Sequence, residues 1–254
     1  MKDVLETRNV AKHFGGLEVL RDVSFTLSEG ERVALIGPNG AGKTTLINVL
    51  NGLTAPTSGS IHLLGNDVTR SPAHARVALG LSRSFQVNSL LPALSLFENV
   101  LMALYGVQKR RYEMFRSFTG HEDNNQRARK LLESIALWEK ADMPVRELSH
   151  GEKRRLEIIL SVSSEPKLLL LDEPNAGLDG AETSGLIHTI ENLAAGTTTL
   201  VVAHDLDFVY RLCSRVLVLY YGEIIADGSC GEIRADETVR SIYLGTEVRN
   251  AGTR

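Results

Sequence analysis

The chain has 254 residues, 43% of them hydrophobic, and a formal net charge of −3. That length and apolar share suit one large α/β domain, or one domain with a smaller lobe, and the charge gives no basic field for nucleic acid. The start MKDVLETRNV lacks the apolar h-region of a secretory signal, no run approaches the ~18 apolar residues of a membrane span, and Cys213 and Cys230 have neither metal-ligand nor redox spacing. The expectation is a soluble, cytoplasmic protein with small buried thiols in a reducing compartment.

Residues 1–36 alternate in strand fashion as VLETRNV, LEVLRDVSFTL and RVALIG, with a tight turn at Ser28-Glu29-Gly30-Glu31. GPNGAGKT follows, from Gly37 to Thr44. It meets the pattern G-x-x-x-x-G-K-[ST] at every fixed position, between a β-branched strand and the helical run KTTLINVLNG. In that run Leu46, Ile47, Val49 and Leu50 mark one face and Gly52 a C-terminal stop. Strand, glycine loop and helix aim backbone N–H groups and a helix N-terminus at one anion. Lys43 is placed for the β/γ-phosphates and the Thr44 hydroxyl for Mg²⁺, so a bound nucleoside triphosphate is expected.

SIHLL (60–64) predicts a further strand, closed by a turn at Gly65-Asn66-Asp67. The character changes after Gln86. From Pro92 to Trp138 apolar residues recur at helical spacing, with the polar stretch 108–126 predicted as a loop or frayed helix. Residues 87–165 therefore read as a mostly helical lobe inserted into a core made of 1–86 and 166–254. Strands return at 167–172, 197–205 and 215–228, with helices filling the gap between the first two. The fold class is α/β: a mostly parallel sheet with crossover helices, N-terminal antiparallel strands and the inserted lobe.

Four leucines lead into Asp172 and Glu173. Such a run predicts a strand buried on both faces, with its carboxylates at the edge where α/β sheets bind ligands. Asp172 is a candidate Mg²⁺ ligand, and Glu173 a candidate general base for the attacking water. In LSHGEKRRLEI, Ser149 with Glu152 forms a capping box, and Ser149, the Gly151 N–H and the helix start also make an anion site. His204 ends a strand expected beside the catalytic one, within reach of a γ-phosphate. Phe14 suits either an ordinary core position or stacking on an adenine ring. The cluster Lys153-Arg154-Arg155 reads as a solvated helix face, and the other histidines show no ligand spacing.

Phe14, GPNGAGKT, Gln86, LSHGE, LLLLDEP, AGLD and His204 stand in the order found in ATP-binding-cassette ATPases, which the chain resembles over nearly its whole length. SRSFQ, the long helical insert, GEKRRLEI and the ending VRSIYLG further resemble the ATP-binding subunits of branched-chain amino-acid importers and their urea-importing relatives. The resemblance implies roles. Gly37, Pro38, Asn39, Gly40, Ala41, Gly42, Lys43, Thr44 and Thr45 would cradle ATP. Asp172, Thr44 and Gln86 would face Mg²⁺, and Gln86 would also sense a membrane subunit. Glu173 would be the catalytic carboxylate and His204 the switch histidine. Ser149, Gly151 and Glu152 would close over ATP held by an opposing subunit, and Asp179 would lie at that dimer interface.

The implied partners are a second ATPase subunit (the same chain or a paralogue), transmembrane permease subunits and, indirectly, an extracytoplasmic solute-binding protein. The implied location is the inner face of the membrane, held there through the permeases. The signature departs from the usual LSGGQ, with His150 for its first glycine and Glu152 for its glutamine. A lipopolysaccharide-type exporter and a non-transport ATPase of the same superfamily are the competing readings. The first is disfavoured by the long insert and the VRSIYLG ending, the second by a single cassette without a heptad run.

Overall fold

The computed structural model describes residues 2–84, 90–107 and 122–242. The N-terminal alternation folds as an antiparallel pair, β1 (Asp3–Phe14) and β2 (Leu17–Ser28). β1 also pairs with β4 (Ser58–Leu63), which carries the two-residue β5 (Asn66–Asp67), to give a four-stranded sheet ordered β2-β1-β4-β5. The expected 65–67 turn is thus narrower. Leu64 and Gly65, both at positive φ, turn the chain, and Asn66–Asp67 pairs back on His62 and Leu63.

The second sheet has six strands in the order β10-β9-β3-β8-β7-β6. They are β3 (Arg32–Ile36), β6 (Leu81–Arg83), β7 (Leu168–Asp172), β8 (Thr198–Val202), β9 (Arg215–Tyr220) and β10 (Glu223–Ser229). All neighbours are parallel except β10 on β9. The stretch expected as one strand at 215–228 is a hairpin, turned at Tyr221 and Gly222, both with positive φ.

Period-2 alternation splits the strands between two layers. Val33, Leu35, Leu168, Leu170, Leu200, Val202, Leu217 and Leu219 face one core, shared with α1 (Lys43–Leu50) and the antiparallel sheet. Ala34, Ile36, Leu169, Leu171, Val201, Val216 and Val218 face the other. Both faces of the sheet are covered, as its unbroken apolar strands demand.

Between β5 and β6 lies α2 (Ala73–Ala78), a helix the sequence reading did not foresee. The helical segment contains α3 (Leu96–Val107), α4 (Glu122–Ser134), 3-10 turns at Trp138–Lys140 and Val145–Glu147, and α5 (His150–Val162). Its own core gathers Leu96, Val100, Leu104, Ala128, Leu132 and Leu156. Of the polar stretch 108–126, residues 122–126 are the first turns of α4, started by Glu122 and Asp123 at the positive end of the helix dipole. Residues 108–121 lie outside the described residues. The crossover α6 (Gly180–Leu193) and α7 (Leu206–Leu212) cover the second core, with α8 (Cys230–Ala235) after the hairpin. α5 serves two cores: Ile158 and Val162 pack under the sheet, Leu156 and Ile159 into the helical segment. No helix among the described residues is long and apolar enough to cross a membrane.

Candidate functional site

The parallel strands β3, β8, β7 and β6 are successive neighbours, so their C-terminal ends form one edge. From that edge emerge the loop after Ile36, His204 after β8, Asp172 and Glu173 at the end of β7, and Arg83 at the end of β6. This is the ligand edge of an open α/β sheet.

The loop at Gly37–Gly42 approaches the sheet so closely that a Cβ on Gly37 would lie 2.1 Å from the Leu219 carbonyl. Gly42 caps α1 at φ 106 with no side-chain hydrogen bond, so the first N–H groups of α1 are not taken by a cap. Lys43 is 8% exposed, and its Nζ donates to the carbonyls of Gly37 (2.6 Å) and Pro38 (3.0 Å). Burial pushes its pKa down, and the carboxylates of Glu173 and Asp172 pull the other way. Those charges therefore share one neighbourhood with the ammonium.

Asp172 is 3% exposed and pairs with Arg83, whose Nη2 donates to Oδ2 at 2.9 Å. Arg83 Nη1 donates to Asn48 Oδ1 at 2.8 Å, so one guanidinium ties the end of β6 to α1 and β7. Among the described residues no cluster of three or more His, Cys, Asp or Glu could hold a metal ion. One buried carboxylate, Asp172, with the Thr44 hydroxyl next to Lys43 in the chain, suits Mg²⁺, which takes one or two carboxylates and completes its shell with phosphate oxygens and water.

Glu173 stands at φ 46, a conformation costing roughly 1–3 kcal/mol for a residue with a side chain. Its N–H donates to the Val202 carbonyl at 2.8 Å, and its own carbonyl accepts from Arg154 Nη2 at 2.8 Å. Arg154 Nε holds the next carbonyl, of Pro174, at 2.8 Å, and its Nη1 pairs with Glu157. The solvated-face reading of Lys153-Arg154-Arg155 is therefore wrong for Arg154. It is buried against the β7 loop, and Arg155 Nη1 caps the Ile135 carbonyl. His204 is 61% exposed, with Nδ1 3.9 Å from Glu173 Oε1. It precedes Asp205, which caps α7 through the N–H groups of Asp207 and Phe208 and accepts from Asn175 Nδ2 at 3.0 Å.

The capping box at α5 is present. Ser149 Oγ accepts from the Glu152 N–H, and Glu152 Oε2 from the Ser149 N–H at 3.0 Å. Glu152 Oε1 accepts from Lys140 Nζ. His150 reaches the loop of the AGLD segment: its Nε2 lies 3.2 Å from the Ala176 carbonyl, so Nε2 carries the proton. The added imidazole thus ties the helix start to the loop before Asp179. Asp179 caps α6 in a second capping box, with Glu182. Phe14 is 52% exposed at the end of β1, with Lys12 Nζ 4.9 Å from its ring centroid, so the core reading fails. Gln86 lies outside the described residues, as do the last residues of VRSIYLG.

The residues that sequence reasoning passed over are Arg83, Lys140 and Asn175. Arg83 sits inside the quoted SRSFQ, but nothing in its neighbours announces an ion pair 89 residues away.

A family model described as ABC transporter matches residues 20–176. The chain is 36% identical over 251 residues to the high-affinity branched-chain amino acid transport ATP-binding protein LivG of Salmonella typhimurium, covering 95% of this chain and 98% of that one. It is 34% identical over 246 residues to the lipopolysaccharide export system ATP-binding protein LptB of Escherichia coli K12, covering 96% and 98%. Among solved structures it is similar to the ADP conformation of MJ1267, an ATP-binding cassette of an ABC transporter (TM-score 0.84, 30% identity, 96% and 100% covered). It is also similar to a dimeric post-hydrolysis state of the cassette MJ0796 bound to ADP and Pi (TM-score 0.72, 25% identity, 89% and 98% covered). The chain belongs to the ABC transporter family, as one of its ATP-hydrolysing cassettes.

Proposed function

We propose that the chain is the energy-coupling subunit of an importer for branched-chain or other amino acids, working as one half of an ATP-sandwiching dimer beneath transmembrane permeases. The observation that carries the catalytic part is the convergence of Lys43, Asp172, Glu173 and His204 on one sheet edge, with the buried ammonium pulled by both carboxylates. The loop from Gly37 to Thr45 cradles ATP, with its backbone N–H groups and Lys43 on the phosphates, and Phe14 stacks on the base. Asp172, the Thr44 hydroxyl and Gln86 would hold Mg²⁺, which would supply charge neutralisation on the phosphates. Glu173 takes the proton of the attacking water, and His204 sits against the same water and γ-phosphate. Ser149, Gly151 and Glu152 meet the ATP of the opposing subunit. The dimer of MJ0796 supports the sandwich arrangement.

Glu173→Gln keeps shape and hydrogen bonding but removes the base. Phosphate release should fall roughly 10²–10⁴-fold, while ATP affinity holds or rises and the dimer stays trapped with Mg-ATP. Turnover near wild type would move the base elsewhere. Ser149→Arg should block closure while sparing ATP binding by the isolated chain, and loss of binding as severe as in Lys43→Ala would end the trans assignment.

The importer reading rests on the LivG likeness together with SRSFQ and the VRSIYLG ending. Location at the inner membrane face and an extracytoplasmic binding protein follow from it. The LptB match, at comparable identity and coverage, supports an exporter instead. A urea-type importer is the other alternative, because of His150. Affinity purification of the intact assembly separates them: an importer brings down permeases and a binding protein whose ligand names the solute, an exporter brings down neither solute nor binding protein.

A further inference from the structure

The start of α5 carries a carboxylate where the usual signature of the family has a neutral amide. Glu152 is the third residue of the helix, and its side chain folds back so that Oε2 accepts from the Ser149 N–H at 3.0 Å. In the trans reading of the signature, this same helix end must receive the triphosphate of the opposing subunit. A carboxylate there takes the Ser149 N–H, draws on the dipole that favours phosphate, and adds a like charge against the incoming anion.

The structure supplies a counter-charge. Lys140 closes the 3-10 turn Trp138–Lys140, and its Nζ donates to Glu152 Oε1. The Glu152 side chain is 14% exposed and that of Lys140 41%. Both oxygens of Glu152 are thereby engaged within their own subunit, one by backbone and one by the ammonium. Burial pushes the Glu152 pKa up, but the hydrogen bonds from Lys140 and the Ser149 N–H, with the charges of Lys140 and Arg155, bring it below its usual value. The carboxylate is therefore ionised in the folded chain, and its charge is balanced from outside the helix.

We propose that Lys140 is a positioning residue for nucleotide closure, neutralising the Glu152 carboxylate so that the N-terminus of α5 can accept the triphosphate of the opposing subunit. The inference rests on the trans reading of the signature and adds to it a residue outside the motif. Without Lys140, an unbalanced charge would face the phosphates across a partly exposed gap, an effect on the order of tenfold in apparent ATP affinity at the closed interface.

The test is a two-residue cycle in the complete assembly, with the partner ATPase subunit present, reading the ATP concentration for half-maximal closure and the KM and kcat of hydrolysis. Lys140→Met should raise the ATP requirement about tenfold with a smaller change in kcat, and added salt should narrow that gap. Adding Glu152→Gln to Lys140→Met should improve closure over Lys140→Met alone, because it removes the unbalanced charge. A strut that merely held the turn to α5 predicts the opposite: once Lys140 is gone, Glu152→Gln can restore nothing. A double variant no better than Lys140→Met therefore overturns the proposal, and so does a wild-type ATP requirement in Lys140→Met. Lys140→Gln is run in parallel, and thermal unfolding identifies which single variants are folded for the comparison. If Ser149→Arg blocks closure while Lys140→Met does not affect it, only the role of Lys140 falls. If Ser149→Arg closes normally, the trans reading itself falls.

Discussion

Arg76→Met would probe how the phosphate-loop helix is anchored at the end away from the nucleotide. Arg76 is 1% exposed. Its Nη1 donates to the carbonyls of Val49 (2.8 Å) and Leu50 (2.6 Å), its Nε to Ser71 (3.1 Å) and its Nη2 to Thr69 (3.3 Å). Val49 and Leu50 end α1, where the last carbonyls lack helical partners and a cation meets the negative end of the dipole. Burial holds the Arg76 pKa below the usual guanidinium value, so the cation is costly where it stands. Methionine fills the stem but donates nothing. Arg76→Met orphans the Leu50 carbonyl, while Val49 keeps the Gly52 N–H at 3.3 Å; with the weaker bonds to Ser71 and Thr69 also lost, the cost is about 2–4 kcal/mol, and relief of the buried cation offsets part of that. A net loss of about 2 kcal/mol corresponds to a fall in Tm of roughly 4–8 °C for a chain of this size. Arg76→Lys should lose more than half as much, because one ammonium cannot span four carbonyls. Calorimetry without nucleotide is the assay, provided unfolding is reversible. A Met variant melting within about 2 °C of wild type would refute the claim that these hydrogen bonds outweigh the burial of the charge.

Arg154→Met releases the carbonyls of Glu173 and Pro174 and should lower kcat roughly 10–100-fold with little change in KM, since small misplacements of a reacting group are that costly; an unchanged kcat in steady-state phosphate release would contradict it. Gly151→Ala puts a Cβ 2.5 Å from Glu182 Oε1 and should force Glu182 off the Asp179 N–H, costing about 1 kcal/mol, or roughly 2–4 °C in Tm. The same change on top of Glu182→Ala should then cost nothing further, and an equal loss in both backgrounds would rule the contact out. Burial, with Cys230 adding to it, pushes the Cys213 thiol up to about 12, so iodoacetamide at about pH 8 should leave it unlabelled in the native chain and label it only after denaturation. Rapid native labelling of the peptide containing Cys213, read by mass spectrometry, would refute that burial.

The site was legible wherever local sequence carried its own geometry. GPNGAGKT, the leucine run before Asp172 and the Ser149–Glu152 capping box each require only residues within one strand, turn or helix start. The alternating strands were legible for the same reason, although the Tyr221-Gly222 turn was hidden by apolar residues on both sides. What stayed hidden depends on distant pairing. Arg83 acquires meaning only because β6 lies beside β7, and the buried state of Arg154 only because α5 packs against the loop after Asp172. Charge runs are read as solvated by default, and tertiary contact overrides that default one residue at a time. α2 escaped notice because six residues give too little periodicity to read, and its anchor, Arg76, points inward against its usual habit.

α5 explains how these pieces act together. At its first turn, Ser149 and Glu152 form a capping box, while His150 reaches the Ala176 carbonyl before the Asp179 cap. Less than two turns on, Arg154 grips the backbone of Glu173, and further along Ile158 and Val162 seat the helix under the sheet while Leu156 and Ile159 bind it to the helical segment. A rigid helix cannot shift one of these contacts and leave the rest in place. α5 thus links the helical segment both to the end that the proposed dimer sets against the opposing ATP and to the backbone of Glu173. Glu173, at φ 46, holds its strained conformation with its N–H on the Val202 carbonyl and its own carbonyl on Arg154, so the contact from α5 bears directly on the carboxylate's backbone.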